Sequence, residues 1–367
     1  MSTASSAAVG PPPGMPVRLS SNESPFGPSP AAMEAAQLAL AEGHRYPDDQ
    51  SVDLRTAVAA HEGVAFEQVA VGTGSAALLM DIIPHVCADV DDAEVVAFSR
   101  SFVVYRLAAR NAGARYVEVP TEGPATVESD GYGRDVDVLL DHVSEATRVV
   151  AIDNPGNPTG AHLTGEQLER LLSALPEQVT VVIDEAYHHF ATGQRGYQRV
   201  AELSVDHPRL LVLTTFSKAF ALAGLRVGAV TGPADLIGPI DGRRTRFNVS
   251  VTGQAAAIAS LEDAAHLRHT VEGTLEGRAR MAAGLQELGV PFTDGLGNFL
   301  TVELGAPSPP YVEAYADHGV GVRPLAPYGM DEQLRISVGT PSEVGAFLTA
   351  SADVLADAPS RLGSAGF

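Results

Sequence analysis

A chain of 367 residues with a net charge of −21 and no basic block is unsuited to nucleic acid or an anionic membrane surface. Its length implies one large domain and a smaller one, and a hydrophobic share of 45% describes an ordinary globular protein. One cysteine, Cys87, excludes an intrachain disulfide and a cysteine-held zinc site, no metal is expected, and the lack of a secretory pattern or a membrane-length apolar run makes the cytoplasm the expected location.

Residues 1–18 are rich in Ser, Ala and Pro and are expected to be disordered or draped over the surface. Residues 19–28 hold too few apolar side chains to fold alone and read either as a linker or as an arm laid across an active site. A helix is predicted from Ser29 or Pro30 to residue 41, broken by His44-Arg45-Tyr46-Pro47-Asp48, and a second helix covers 52–61. From Val69 onward, short apolar runs at 69–71, 95–98, 116–119, 149–152, 179–183, 210–214 and 227–230 alternate with helical stretches. In one of these, 163–175, Leu168, Leu171 and Leu172 share a face. The runs lack polar alternation, as strands buried on both faces do. The fold class is therefore α/β, a doubly wound, mostly parallel, seven-stranded sheet over residues 46–243. After Arg243 come predicted helices at 252–261 and 266–288, short strands at 299–303, 320–323 and 334–338, and a closing helix at 341–355. That pattern is a smaller α+β domain over residues 244–367, to which the arm and helix of residues 19–45 are assigned.

In open parallel sheets ligands bind beyond the carboxyl ends of the strands, so the residues just after each run are the place to look for a site. The first run is followed by Gly72-Thr73-Gly74-Ser75-Ala76, where glycines allow close backbone approach and a helix start offers N–H groups to an anion, although many such turns bind nothing. Phe102 follows the second run, as packing or as a stacking ring. Asn157 stands among Pro and Gly after the fourth, in a plain turn or as a rigid amide. Asp184 directly follows the fifth and needs a cationic partner if buried, with Tyr187 close behind. After the sixth comes Lys218, the only lysine in the chain, and Arg226 lies a little beyond. Codon bias explains the missing lysines, yet arginine cannot lose its proton and attack a carbonyl, whereas a desolvated lysine can. An amine, an anion cup with an arginine, a carboxylate, a phenol, an amide and an aromatic ring together suit a phosphorylated pyridine aldehyde.

These residues carry a resemblance. Ser21-Asn22-Glu23-Ser24-Pro25-Phe26-Gly27-Pro28, Arg45-Tyr46-Pro47-Asp48, Asn154-Pro155-Gly156-Asn157-Pro158-Thr159-Gly160, Ile183-Asp184-Glu185-Ala186-Tyr187, the run from Thr215 through Lys218 and Arg226 to Gly228, and Leu334-Arg335-Ile336-Ser337 resemble the fold-type I aminotransferases that use pyridoxal 5'-phosphate. The chain is most similar to the histidinol-phosphate and aromatic amino acid branch, from about residue 19 to its end. The resemblance implies that Lys218 forms the Schiff base and moves the proton at the substrate α-carbon. It implies that Asp184 pairs with the pyridine nitrogen, that Tyr187 and Asn157 hold the ring hydroxyl, and that Phe102 stacks on the ring. Gly74, Ser75, Ala76, Thr215, Ser217 and Arg226 become the phosphate cup, and Tyr46 reaches the phosphate of a neighbouring subunit in a homodimer. Arg335, with Asn22 and the N-terminal arm closing over it, receives the substrate α-carboxylate; in a histidinol-phosphate enzyme the same arginine, with Arg323, meets the substrate phosphate instead. The implied reaction is a ping-pong exchange between an amino acid and 2-oxoglutarate.

Two departures bear on the substrate. Gly156 stands where an asparagine is common in the family. Ala76-Ala77 replaces an acidic residue frequent in histidinol-phosphate enzymes, and with the 249–257 segment this resembles the aromatic aminotransferases. An aromatic or imidazole side chain on the donor is therefore the expectation. The alternatives are a histidinol-phosphate aminotransferase and a decarboxylase of the threonine-phosphate type. A regulator that merely binds the cofactor lacks room for an attached DNA-binding module, and a nucleotide-binding protein lacks a lysine beside the glycine turn.

Overall fold

The computed structural model describes residues 16–88, 90–124, 132–200 and 207–356. The described chain opens with β1 (Val17–Arg18), α1 (Pro30–Leu40) and α2 (Val52–Glu62). Strands and helices then alternate as β2 (Val69–Gly72), α3 (Ser75–Cys87), β3 (Glu94–Phe98), α4 (Val104–Asn111), β4 (Arg115–Val119), α5 (Val136–Asp141), β5 (Thr147–Asp153), α6 (Gly165–Ala174), β6 (Thr180–Asp184), α7 (His188–Ala191), β7 (Leu210–Thr215), β8 (Gly228–Thr231) and α8 (Ala234–Arg243). The remainder is α9 (Val251–Glu262), α10 (Ala264–Glu287), β9 (Phe292–Thr293), β10 (Phe299–Glu303), α11 (Pro309–Asp317), β11 (Val320–Gly321), β12 (Arg323–Leu325), β13 (Met330–Ser337) and α12 (Pro341–Ala356).

The seven-stranded sheet has the order β2-β8-β7-β6-β5-β3-β4. All its pairings are parallel except those of β8, which runs antiparallel to both β2 and β7. Val95, Ala97, Val149, Ala151 and Val182 belong to one core cluster, and their alternates Val96, Phe98, Val150, Ile152 and Val181 to another. Both faces are covered, so the strands read as unbroken apolar runs. Local signals place the helix starts. The Ser29 hydroxyl accepts the Ala32 N–H at 3.0 Å, and Thr164 and Gln167 cap α6 reciprocally.

A four-stranded antiparallel sheet, β12-β13-β10-β9, packs Leu300, Val302, Leu334 and Ile336 against Met281, Leu285, Tyr315 and Phe347 of the surrounding helices. Two expectations need correction here. Residues 320–323 are not one strand. Val320–Gly321 pairs in parallel with Val17–Arg18, while Arg323–Leu325 pairs with β13, because the chain changes partners at Val322. The expected loose tail is therefore held at Val17 and Arg18; residues 1–15 lie outside the described part. Helix α1 packs on α9, in the segment assigned to the smaller domain, and also beside the large sheet. Its Ala32 joins Leu54, Val69, Phe216, Ala256 and Ala257, since small side chains let α1 approach the alanine-rich α9 closely. Leu19, by contrast, lies in the small-sheet core.

Candidate active site

The carboxyl ends of β5, β6 and β7 and the start of α3 open onto a cavity of about 290 Å³. Lys218 follows β7 in a tight loop. Phe216 and Phe220 anchor that loop in the core with their rings 5.0 Å apart, so the lysine between them is held at a fixed point. Its Nζ donates to the backbone oxygens of Asn22 at 3.1 Å and Ser21 at 3.4 Å. Loss of solvent lowers the amine to about 7, the Arg335 charge pushes the same way, and Glu23 opposes.

Asp184 ends β6 in register with Asp153 at the end of β5. One Asp184 oxygen accepts the Ala186 N–H at 3.1 Å; the other makes no hydrogen bond among the described residues. Burial, and then the neighbouring Asp153 charge, raise Asp184 to about 7. The Tyr187 hydroxyl accepts from Asn22 Nδ2 at 2.9 Å, and burial pushes it up to about 12. The Asn157 amide oxygen accepts from Arg335, whose other arm donates to Ser20 O at 2.9 Å. Arg323 Nε donates to the same carbonyl at 2.9 Å.

The anion cup is built as the glycine turn suggests. Gly74, with φ at +89°, precedes α3 without a side-chain cap, leaving first-turn N–H groups directed at the cavity. Arg226 Nη1 donates to Ser217 Oγ at 3.2 Å and Nη2 to Thr73 O at 3.4 Å. A Cβ at residue 74 would overlap that guanidinium, so only glycine lets the arginine close the cup. The cup, together with the free oxygen of Asp184 and the neutral amine of Lys218, fits pyridoxal phosphate in donor chemistry.

Ten of the sequence-predicted residues line the one cavity: Ser75, Ala76, Phe102, Asn157, Asp184, Tyr187, Thr215, Ser217, Lys218 and Arg226. Arg335, Arg323 and Asn22 adjoin it through hydrogen bonds to Asn157, the Ser20 carbonyl and Tyr187. Tyr46 is 82% exposed, stacks on Phe247 at 4.7 Å, and does not reach this chain's own cavity. Asp153, Ser21 and Glu23 also line the wall and are absent from the sequence-derived set. Asp153 obeys the rule that selects Asp184, a carboxylate directly after an apolar run. Ser337, in the Leu334-Arg335-Ile336-Ser337 motif but given no role there, donates to Asn22 Oδ1 at 3.0 Å, and Asn298, which carries no local signal, donates its amide to Asn22 O at 3.1 Å; both fix the arm.

The profile of the aminotransferase class I and II family matches residues 15–350. The chain is 39% identical over 340 residues to histidinol-phosphate aminotransferase 2 of Methylococcus capsulatus, covering 92% of this chain and 90% of that one. To the aromatic amino acid aminotransferase of Nocardia farcinica it is 40% identical over 339 residues, covering 92% and 91%. The solved histidinol-phosphate aminotransferase from Sinorhizobium meliloti in complex with pyridoxal-5'-phosphate superposes with a TM-score of 0.84 at 29% identity, over 93% of this chain and 91% of that one.

Proposed function

The chain belongs to the aminotransferase class I and II family, and from that premise we propose that it moves an amino group between an amino acid with an aromatic or imidazole side chain and 2-oxoglutarate, with Lys218 holding the cofactor. It is a pyridoxal-phosphate-dependent aminotransferase. The observation that carries the residue roles is the meeting, in one cavity, of an amine lowered to about 7, a buried carboxylate with a free oxygen and an arginine-closed helix start. When bound, pyridoxal phosphate supplies an aldehyde that condenses with amines and a ring that accepts the electron pair left at the substrate carbon.

The chain's own groups supply the rest. Lys218 Nζ is the neutral amine for the aldehyde carbon and, once released, the base that takes a proton from the substrate α-carbon and returns one. Asp184 would hold the ring nitrogen, where a buried carboxylate favours a cation. Tyr187 and Asn157 would hold the ring hydroxyl and Phe102 its face. Gly74, Ser75, Ala76, Thr215, Ser217 and Arg226 would hold the phosphate. Arg335 exchanges the Ser20 carbonyl for the substrate α-carboxylate and grips it with two N–H groups. Held by Arg335 near the plane of the cofactor ring, the carboxylate would keep its bond out of line with the ring electrons, which favours removal of the α-proton.

A homodimer completes the proposal. Among the described residues, the exposed large apolar side chains include Met33, Leu38, Leu40, Tyr46, Val52 and Phe247, all on or beside α1 and the segment leading into α2, except Phe247, which stacks on Tyr46. Tyr46 then serves the partner's phosphate cup. Mixing Lys218→Ala with Tyr46→Phe subunits is expected to leave one intact site in each heterodimer and to raise activity above the parental average. Activity that stays at the average rejects this role.

A second reading, histidinol phosphate as donor, is favoured by one observation. Arg323 and Arg335 converge on a single carbonyl oxygen, an arrangement suited to a phosphate dianion. A panel of Phe, Tyr, His and histidinol phosphate, each with 2-oxoglutarate, decides between them. The proposal expects an aromatic or imidazole amino acid to lead in kcat/KM; a lead of about a hundredfold for histidinol phosphate, some 2.7 kcal/mol, would replace it.

A further inference from the structure

Arg134 has no place in the chemistry described so far, yet it is among the most enclosed cations in the molecule, 7% exposed. Its Nη2 donates to Asp153 Oδ1 at 2.6 Å and to Ser101 Oγ at 3.3 Å, and its Nη1 donates to the Asp153 backbone oxygen. The guanidinium lies 5.3 Å from the centre of the Phe98 ring. The other oxygen of Asp153 accepts two backbone N–H groups, from Phe102 at 2.9 Å and from Asn157 at 2.8 Å. One carboxylate therefore pins the two backbone positions from which the cavity's aromatic ring and its amide project.

That carboxylate needs a counter-charge. Asp153 stands beside Asp184 in register, and two unpaired buried anions at adjacent strand ends would repel each other in a medium that screens poorly. The sequence provides the space for the counter-charge as well. A Cβ at Gly156 would overlap the Arg134 guanidinium, so a side chain at 156 and this arginine exclude each other. The exception noted in the turn, Gly156, is thereby explained by an arginine from another segment.

The backbone around Arg134 is anchored independently. Tyr132, with φ at +54°, packs on Leu325 and Met330, and its hydroxyl donates to Glu303 Oε1 at 2.9 Å. A bulky residue adopts that conformation only where surrounding contacts impose it. We propose that Arg134 is a positioning residue for the cofactor pocket, acting through Asp153 on Phe102 and Asn157. This rests on the reading that the cavity holds pyridoxal phosphate.

The test uses the double variant Arg134→Met with Asp153→Asn, which leaves no unpaired charge and keeps an acceptor for the two N–H groups. Thermal melting of the protein without cofactor is read beside the Kd for pyridoxal phosphate and the visible circular dichroism of the bound cofactor, which reports how its ring is held. The expected result is unchanged melting, a Kd raised about tenfold and a visibly weakened dichroic band. Arg134→Lys, which keeps the charge but not the two-pronged contact, is expected to fall between. Should the double variant not fold, Gly156→Ala presses on the guanidinium with both charges in place and carries the same expectation. Wild-type Kd and dichroism in the folded variant overturn the role of Arg134. A wild-type protein that takes up no pyridoxal phosphate overturns the cofactor reading along with it.

Discussion

On the cavity side of Tyr187 stand Lys218, Asp184 and Asn157; in the next two positions of the chain, turned away from the cavity, stand His188 and His189. Asp184, Asn157 and His188 are buried and Lys218 and His189 half-buried, and the titratable groups on both sides are shifted. Burial holds Lys218 at about 7 and raises Asp184 to about 7, and it lowers His188 well below the usual range and His189 to about 3. The histidine rings lie 3.7 Å apart, near a void of about 10 Å³. That space takes one water and no substrate. Behind them Glu185, fully buried, accepts from Val200 N–H, Tyr197 and Arg199, and Arg199 also pairs with Glu62 at 2.8 Å. A shifted titration therefore marks burial on either side. Atoms without a partner occur on both sides, His188 Nδ1 and His189 Nε2 among them; function needs a cavity of substrate size as well, and of the two sides only that of Lys218 has one.

Substitutions on the two sides should separate chemistry from stability. The largest effect is expected for Lys218→Arg, which keeps the charge and removes the deprotonatable amine. Turnover should fall by at least about a thousandfold, or about 4 kcal/mol, in a protein that still folds. In the wild type, loading with pyridoxal phosphate should quicken as pH rises through about 7, because a lowered lysine is neutral above that value. Next comes Glu185→Ala on the far side. Leaving the Val200 N–H, the Tyr197 hydroxyl and one arm of Arg199 without their buried acceptor should remove about 3–5 kcal/mol from the unfolding free energy in denaturant, with kcat of the folded fraction changed far less.

Arg335→Lys should lower kcat/KM by about 1.5–3 kcal/mol for both the amino donor and the oxo acid, since one site serves both half-reactions. Loss for one substrate only would contradict the shared carboxylate site. The smallest effect is the pH response of the histidine stack. Both rings have lower pKa values folded than unfolded, so below about 6.5 the unfolded chain binds protons that the folded chain refuses. Stability should then fall as pH drops, by about 2 kcal/mol per histidine at pH 5, and His189→Phe should remove about one histidine's share of that slope. An unaltered slope in denaturant melts at pH 5 and 7 would show that the ring is protonated without penalty.

The legibility of these features in the sequence follows the same division. Strand-end residues such as Asp184, Asn157 and Lys218 were readable because an apolar run fixes where a strand stops, and the next residue then faces the ligand edge. Six of the seven strands were readable because each is buried on both faces; the edge strand β4 is partly exposed and was marked by its short β-rich run. Features set by long-range pairing were not. Ser20 accepts from Arg335 across 315 positions, and Val17–Arg18 pairs with Val320–Gly321, neither of which leaves a periodic trace. The partner change at Val322 hides inside the short run Val320-Gly321-Val322-Arg323. The alanines of α1 reveal a close packing face but not that α9 is the helix it meets. Asp153 obeys the strand-end rule, but its purpose depends on Arg134, which no motif singles out.

The central claim is that this cavity transfers an amino group, and a single half-reaction tests it. The protein loaded with pyridoxal phosphate is mixed with an aromatic amino acid in the absence of any oxo acid, and the products are separated and quantified. The account predicts one pyridoxamine phosphate and one aromatic oxo acid per active site, with no carbon dioxide released, and loss of both products in Lys218→Ala. Carbon dioxide released in step with substrate consumption, with the cofactor recovered as pyridoxal phosphate, would contradict it and point to decarboxylation.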